Sequence, residues 1–248
     1  MKKYILILFF SFCIFLLLII YSSPYRSLRP YELFGKNTHP EIQTKDKFID
    51  NRKAILINSS DAENSFYIDQ IPVTVKDYKR CLSKGLCNPH HYRNNYTIFF
   101  ESKFYDIFPV TFINWMDARK FCLAAGGDLP TEQQWNLAAG GDFGIIYPWG
   151  NAQPDLSLAN IDGYYQSLIP AGWLPSGQSP YGVLDMTGNV REWVLDEIFE
   201  DNDNKLLKGG SSNDSFNEGR IEAHLDHGPT SSGFNRGFRC VYPNNINQ

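Results

Sequence analysis

The 248-residue chain has no large excess of either charge: 23 Lys and Arg stand against 27 Asp and Glu, a formal net charge of −4. A mildly acidic chain carries no electrostatic footprint for nucleic acid. Its charged residues alternate in sign rather than cluster, so no polybasic membrane-binding surface is expected either. Cysteine is scarce, with five residues. That is too few for a disulfide-dense mini-scaffold, but enough for two bridges and one leftover in an oxidising compartment. There is no phosphate-binding glycine loop and no internal repeat. Paired glycines such as Gly126-Gly127 read as turns where the backbone needs freedom.

What is present is apolar. Hydrophobic residues make up 43% of the chain and aromatic ones 15%, enough for a buried core, which excludes wholesale disorder. Lys2 and Lys3 precede an apolar run from Ile5 to Ile20. Residues 1–21 read as a signal anchor, with the lysines held inside and the rest exported. A cleaved signal peptide is the alternative, although Ile20 and Tyr21 are poor neighbours for a cleavage site at Ser22-Ser23. Both readings place the folded part in the cell envelope, periplasmic or extracellular. Residues 22–51, with Pro24, Pro30, Pro40 and no sustained period, read as a tether, and 244–248 as a tail.

Between them a mixed α+β domain is expected, with two or three helices and much irregular chain. Ala54–Ile57 and Phe66–Asp69 are strand-like. Thr74 is placed to cap a helix carrying Val75, Tyr78 and Leu82, ended by Gly85. A second helix follows Asn114, with Trp115, Ala118, Phe121, Cys122 and Ala125 at helical spacing. Thr131 and Gln134 have capping-box spacing for a third, with Trp135 and Ala138 on its inner face. After Gly140 regular periodicity fades for about 50 residues, longer than ordinary loops. Aromatic plugs, disulfides and bound cations are the devices available to fix such a stretch. Cys81 and Cys87, with Gly85 between them to turn the chain, suit a local disulfide.

Several ordered motifs resemble one family. Pro109-Val110-Thr111-Phe112-Ile113-Asn114-Trp115 is followed by Leu129-Pro130-Thr131-Glu132 and by Tyr147-Pro148-Trp149-Gly150. Then come Ala159-Asn160, the run from Tyr181 to Trp193, Lys208-Gly209-Gly210-Ser211 and Gly237-Phe238-Arg239-Cys240. In this order they are similar to the formylglycine-generating, or sulfatase-modifying factor, family over residues 52–243. The resemblance implies a decorated C-type-lectin-like fold. Residues 94–108 match nothing in it, and Asp128 replaces a usual basic residue.

The enzymes of that family are copper-dependent oxidases that turn a sulfatase cysteine into formylglycine. Two thiolates hold Cu(I), the first three residues after the Gly-Gly-Ser motif and the second five further on. Here those positions are Asp214 and Gly219, and no cysteine lies between Cys122 and Cys240. A carboxylate is a hard ligand and a glycine none, so copper is not expected and no catalytic residue is assigned. The resemblance implies a disulfide between Cys122 and Cys240. It also implies calcium. Asp185 and Glu192, with the carbonyls of Gly188 and Val190, form a hard oxygen set that suits Ca²⁺ and matches the family's ligand positions in kind. A second calcium would begin at Asn160 and the Ile161 carbonyl, with Asp162 as a further candidate.

Other clusters read as bland. His224, Asp226 and His227 lack a third placed histidine and read as a solvated loop. His90-His91 reads as a polar turn, and Ser211 and Ser212 lack a histidine base. The function expected is a non-catalytic binding or accessory module for an exported protein, peptide or glycan, with Trp149 and Trp173 as candidate walls. The alternative is an oxidase of formylglycine-generating type with a divergent metal site.

Overall fold

The computed structural model describes residues 47–49, 51–59, 64–89, 97–197 and 203–244. The apolar N-terminal run, most of the expected tether and His90-His91 lie outside them. Among the described residues no helix is long and apolar enough to cross a membrane.

Local signals place the helices. Thr74 caps α1, Val75–Ser83, in a reciprocal capping box with Asp77, which satisfies two otherwise unpaired backbone N–H groups. Gly85, at φ 70°, takes the left-handed turn that follows. The Asn114 side chain accepts from the Asp117 N–H at 2.8 Å and starts α3, Trp115–Ala124. Thr131 and Gln134 form the capping box of α4, Glu132–Ala139. Two pieces were not expected: a short helix, α2, Thr97–Glu101, and a 3-10 turn, Lys103–Ile107.

The strands form two four-stranded sheets. The first has the order β1-β2-β3-β8 and is antiparallel throughout. It contains β1 (Lys47–Ile49), β2 (Arg52–Ile57), β3 (Phe66–Asp69) and β8 (Val241–Pro243). β1 falls within the stretch read as tether. The second has the order β6-β5-β4-β7. It contains β4 (Arg191–Glu197), β5 (Lys205–Lys208), β6 (His224–His227) and β7 (Arg236–Phe238). β4 and β7 run parallel, and the other pairs in this sheet are antiparallel.

Alternation explains the core. On β2, Ala54 packs with Tyr78, Phe121 and Trp193, whereas Ile55 and Ile57 pack with Trp135 and Val194. Successive strand side chains point to opposite faces, so a strand buried on both sides reads as one apolar run. β4 does the same with Trp193 and Val194, and β5 with Leu207 and Leu206. The Cys122–Cys240 disulfide ties α3 to the segment between β7 and β8. Cys81–Cys87 closes the chain after α1. Both bridges fall where they were expected.

Residues 140–190 contain only short 3-10 turns, Gly141–Phe143 and Pro175–Gly177. Aromatic plugs fix part of this stretch. Tyr147 and Trp149 stack with centroids 5.1 Å apart, and Trp149 Nε1 donates to the Ala152 carbonyl. Trp149 is therefore core rather than a groove wall, buried with Ala159 and Ile161. Trp173 is 59% exposed. His224, Asp226 and His227 lie on β6 rather than on a loop.

Candidate cation and ligand sites

The stretch from Asp185 to Glu192 doubles back sharply. Asp185, Gly188 and Asn189 all have positive φ. Gly188 is needed for a second reason: a Cβ there would lie 2.3 Å from the Asn160 carbonyl oxygen. That close approach lets Asn160 and Gly188 form an isolated parallel bridge, with the Asn189 N–H donating to the Asn160 carbonyl at 2.7 Å. The two expected calcium sets, 160–161 and 185–192, are thus brought against each other.

Within this junction the polar groups are unequally satisfied. Glu192, 1% exposed, takes the Arg239 guanidinium in a fork, with Nε to Oε2 and Nη2 to Oε1 both at 2.7 Å. Trp135 Nε1 adds a third donor at 2.8 Å. Asp185 accepts from the Gly172 N–H at 2.6 Å. The residue is partly exposed, but burial of its carboxyl pushes the pKa up to about 6. Glu192 pushes the same way, while the Gly172 N–H and Arg239 oppose. Asn160 donates through Nδ2 to the Ser167 carbonyl and to Asn189 Oδ1. Its Oδ1 is buried with no hydrogen-bond partner among the described residues. Asp162 is exposed, and its N–H donates to the Asp214 carbonyl.

An orphaned amide oxygen and an under-compensated carboxylate are donors that a hard cation satisfies. Asn160 Oδ1, Asp185 and the carbonyls of Gly188, Val190 and Ile161 fit Ca²⁺ in kind. Glu192 fits less well, because its charge is already matched by Arg239. Among the described residues no group of three or more His, Cys, Asp or Glu side chains is placed to share a metal. A cation here would therefore have the Asp185 carboxylate and otherwise amide and carbonyl oxygens.

The two copper positions are occupied otherwise. Asp214 pairs with Arg191 at 2.5 Å, and its second oxygen accepts from both the N–H and the hydroxyl of Ser211. Gly219 is tightly surrounded: a Cβ would lie 2.5 Å from Ile161 Cδ1 and 2.8 Å from Thr187 Cγ2, so both side-chain ends would have to shift to admit one. Neither position offers a thiolate, so these residues do not fit Cu(I).

The model of the sulfatase-modifying factor enzyme 1-like domain matches residues 47–243. The chain belongs to this family. Among the sulfatase-modifying factor relatives, the bovine protein named inactive Cα-formylglycine-generating enzyme 2 is 35% identical over 154 residues, covering 54% of this chain and 50% of that protein. The mouse formylglycine-generating enzyme is 32% identical over 165 residues, covering 54% and 44%. The chain thus spans about half the length, or less, of these curated relatives. The solved structure of Treponema denticola variable protein 1 shares the fold, with a TM-score of 0.61 at 16% identity over 81% of this chain and 99% of that one.

Sequence reading missed the basic partners that organise the site. Arg239 was visible only as part of the closing Gly-Phe-Arg-Cys motif, yet it links Glu192 to the carbonyls of Asp69 and Leu184. Arg191 sits inside the motif that supplies the calcium candidates. Nothing local marks it as the partner of Asp214. Lys208, fully buried over the Trp135 ring, pairs with Glu132, which also lies 3.5 Å from His224 Nδ1.

Proposed function

We propose that this is an exported, membrane-anchored sulfatase-modifying-factor-like domain that acts as a non-catalytic binding or accessory module. The observation that carries this reading is the occupancy of the copper positions. Asp214 is committed to Arg191 and Ser211, and Gly219 carries no ligand and is packed against the side-chain ends of Ile161 and Thr187. The relative named as inactive supports it by likeness. The envelope location rests on the Lys2-Lys3 and Ile5–Ile20 pattern and is supported by two disulfides, which persist in oxidising compartments. The partner is an exported protein, peptide or glycan.

The test is to incubate the purified, copper-treated protein with a cysteine-containing sulfatase peptide under air and to assay for aldehyde by mass. No aldehyde is expected. Aldehyde formation abolished by a copper chelator would replace this reading with an oxidase that uses a divergent metal site.

Calcium is proposed as a structural ligand at two neighbouring sets, Asp185 with the carbonyls of Gly188 and Val190, and Asn160 with the Ile161 carbonyl. A cation that binds only the folded state stabilises it by mass action, about 2.7 kcal/mol at a hundredfold excess over Kd. For a domain of this size that corresponds to a Tm change of roughly 5–10 °C. A chelator should lower the Tm by that order, and added calcium should restore it. Asp185→Ala should remove most of that sensitivity, and Asn160→Ala, which removes the orphaned oxygen, whatever part the second set contributes. A wild-type melt that ignores chelator and calcium alike would reduce the site to a capped turn.

A further inference from the structure

We propose that Arg191 and Arg236 form a binding site for a small oxyanion, a carboxylate or a phosphate, where β4 and β7 run side by side. The two arginines are direct partners in the parallel β4–β7 pairing. Adjacent strands lie about 4.8 Å apart, so partner residues share a face of the sheet. Like charges placed opposite each other are destabilising unless something negative sits with them.

Among the described residues the negative groups nearby are insufficient. Asp214 neutralises Arg191 alone, and its other oxygen is taken by Ser211. Asp226 on β6 is engaged by Asn204 Nδ2 at 2.6 Å. Among the described residues Arg236 forms no ion pair: it donates to a neutral oxygen, Ser231 Oγ, at 2.6 Å, and its guanidinium lies 6.0 Å from the Trp193 ring centroid. Burial and then the Arg191 charge hold the Arg236 guanidinium below the usual arginine range, so the two charges feel one another. His227 is lowered first by burial and then by Arg236, which favours its neutral form, so it supplies no counter-charge to the arginines.

A second observation is independent of this charge count. Arg191 is only 7% exposed, and its buried Nε–H has no hydrogen-bond partner among the described residues. A buried N–H of a cation left unused is costly, and a ligand oxygen would satisfy it. Guanidinium forks match the planar or tetrahedral oxygens of carboxylate and phosphate bidentately. The surroundings suit a partly exposed ligand. Phe112 is held at φ 55°, a left-handed conformation unusual for a bulky residue. Its N–H donates to the Gly233 carbonyl at 2.9 Å, and its ring lies 6.1 Å from Phe234. Two partly buried rings therefore flank the loop that delivers Arg236.

The proposal deepens the binding-module reading and rests on it, because Asp214, the group that neutralises Arg191, stands at a copper position. Its test is separate from the aldehyde assay. The full-length protein in detergent is titrated with sodium phosphate and, separately, sodium acetate, with chloride holding ionic strength constant. Calorimetry and thermal melts are recorded. A saturable heat and a rising Tm are expected with at least one anion. Phosphate alone would indicate a tetrahedral ligand, acetate a carboxylate. R236Q should weaken Kd at least tenfold and R236K at least threefold, because lysine keeps the charge but loses the fork. R220Q, at an exposed arginine, should change nothing. No saturable response in the wild type, or an unchanged Kd in R236Q, would overturn the site. If R236Q does not fold, an unchanged Kd in R236K overturns it equally.

Discussion

Arg239→Met is expected to destabilise the domain by about 3–5 kcal/mol, the range seen when one partner of a buried ion pair is removed. Arg239 is 0% exposed and makes hydrogen bonds to three separate parts of the chain. It holds Glu192 on β4 through both carboxylate oxygens. It also donates to the carbonyls of Asp69 and Gln70 at the end of β3, and to that of Leu184 before the cation loop. Methionine fills similar volume but satisfies none of these acceptors. Glu192 would be left buried with the Trp135 N–H as its remaining donor. Urea unfolding in the presence of a chelator measures the loss without a cation to compensate. Adding Glu192→Gln to Arg239→Met should recover much of it, because the uncompensated charge is then gone. A single-variant loss under about 1 kcal/mol would mean that Glu192 has another cationic partner.

Such a residue also marks the limit of what could be read from the chain. The helix starts were legible because capping acts over three residues: Thr74 with Asp77, Asn114 with Asp117, Thr131 with Gln134. β2 and β3 were legible because both are short apolar runs joined closely in sequence. β7 and β8, by contrast, are three residues each, and their partners are distant, as in the pairing of Trp193 with Phe238. No period can show in three residues. The candidate site divides along the same line. Asp185, Gly188 and Glu192 lie within one motif and could be grouped by eye. The Asn160–Gly188 bridge and the Arg239–Glu192 pair, 47 residues apart, exist only once the chain has closed on itself. The aromatic segment around Tyr105 and Phe108 had no period either. It is fixed by ring contacts, with Tyr105 5.2 Å from Phe108 and 4.5 Å from Phe99.

The double variant Asp214→Cys/Gly219→Cys is expected to form no aldehyde and to be less stable than the wild type by several kcal/mol. The reason lies in what each position now does. Asp214→Cys takes the carboxylate from Arg191, which is buried beside Arg236, and removes two acceptor contacts from Ser211. For a pair with some remaining exposure the loss should reach about 3 kcal/mol, the lower end of the range for a broken buried ion pair. Gly219→Cys drives a side chain into Ile161 and Thr187, both buried, and strain of this kind costs typically about 1–3 kcal/mol. Ile161 packs with Tyr147, Trp149 and Ala159, so the displacement is passed into the aromatic plug that fixes the long loop. The two changes are five residues apart and share the Ile161–Asp162 segment through the bond from the Asp162 N–H to the Asp214 carbonyl, so their costs should not add simply. Denaturant unfolding of both single variants and the double measures the stability, and copper competition with a chromogenic chelator measures the affinity. The thiolate pair alone restores the ligand type but not the space around it. Tight copper binding together with aldehyde formation in the double variant would show the opposite: that the rest of an oxidase site is intact here and only the two sulfurs are missing.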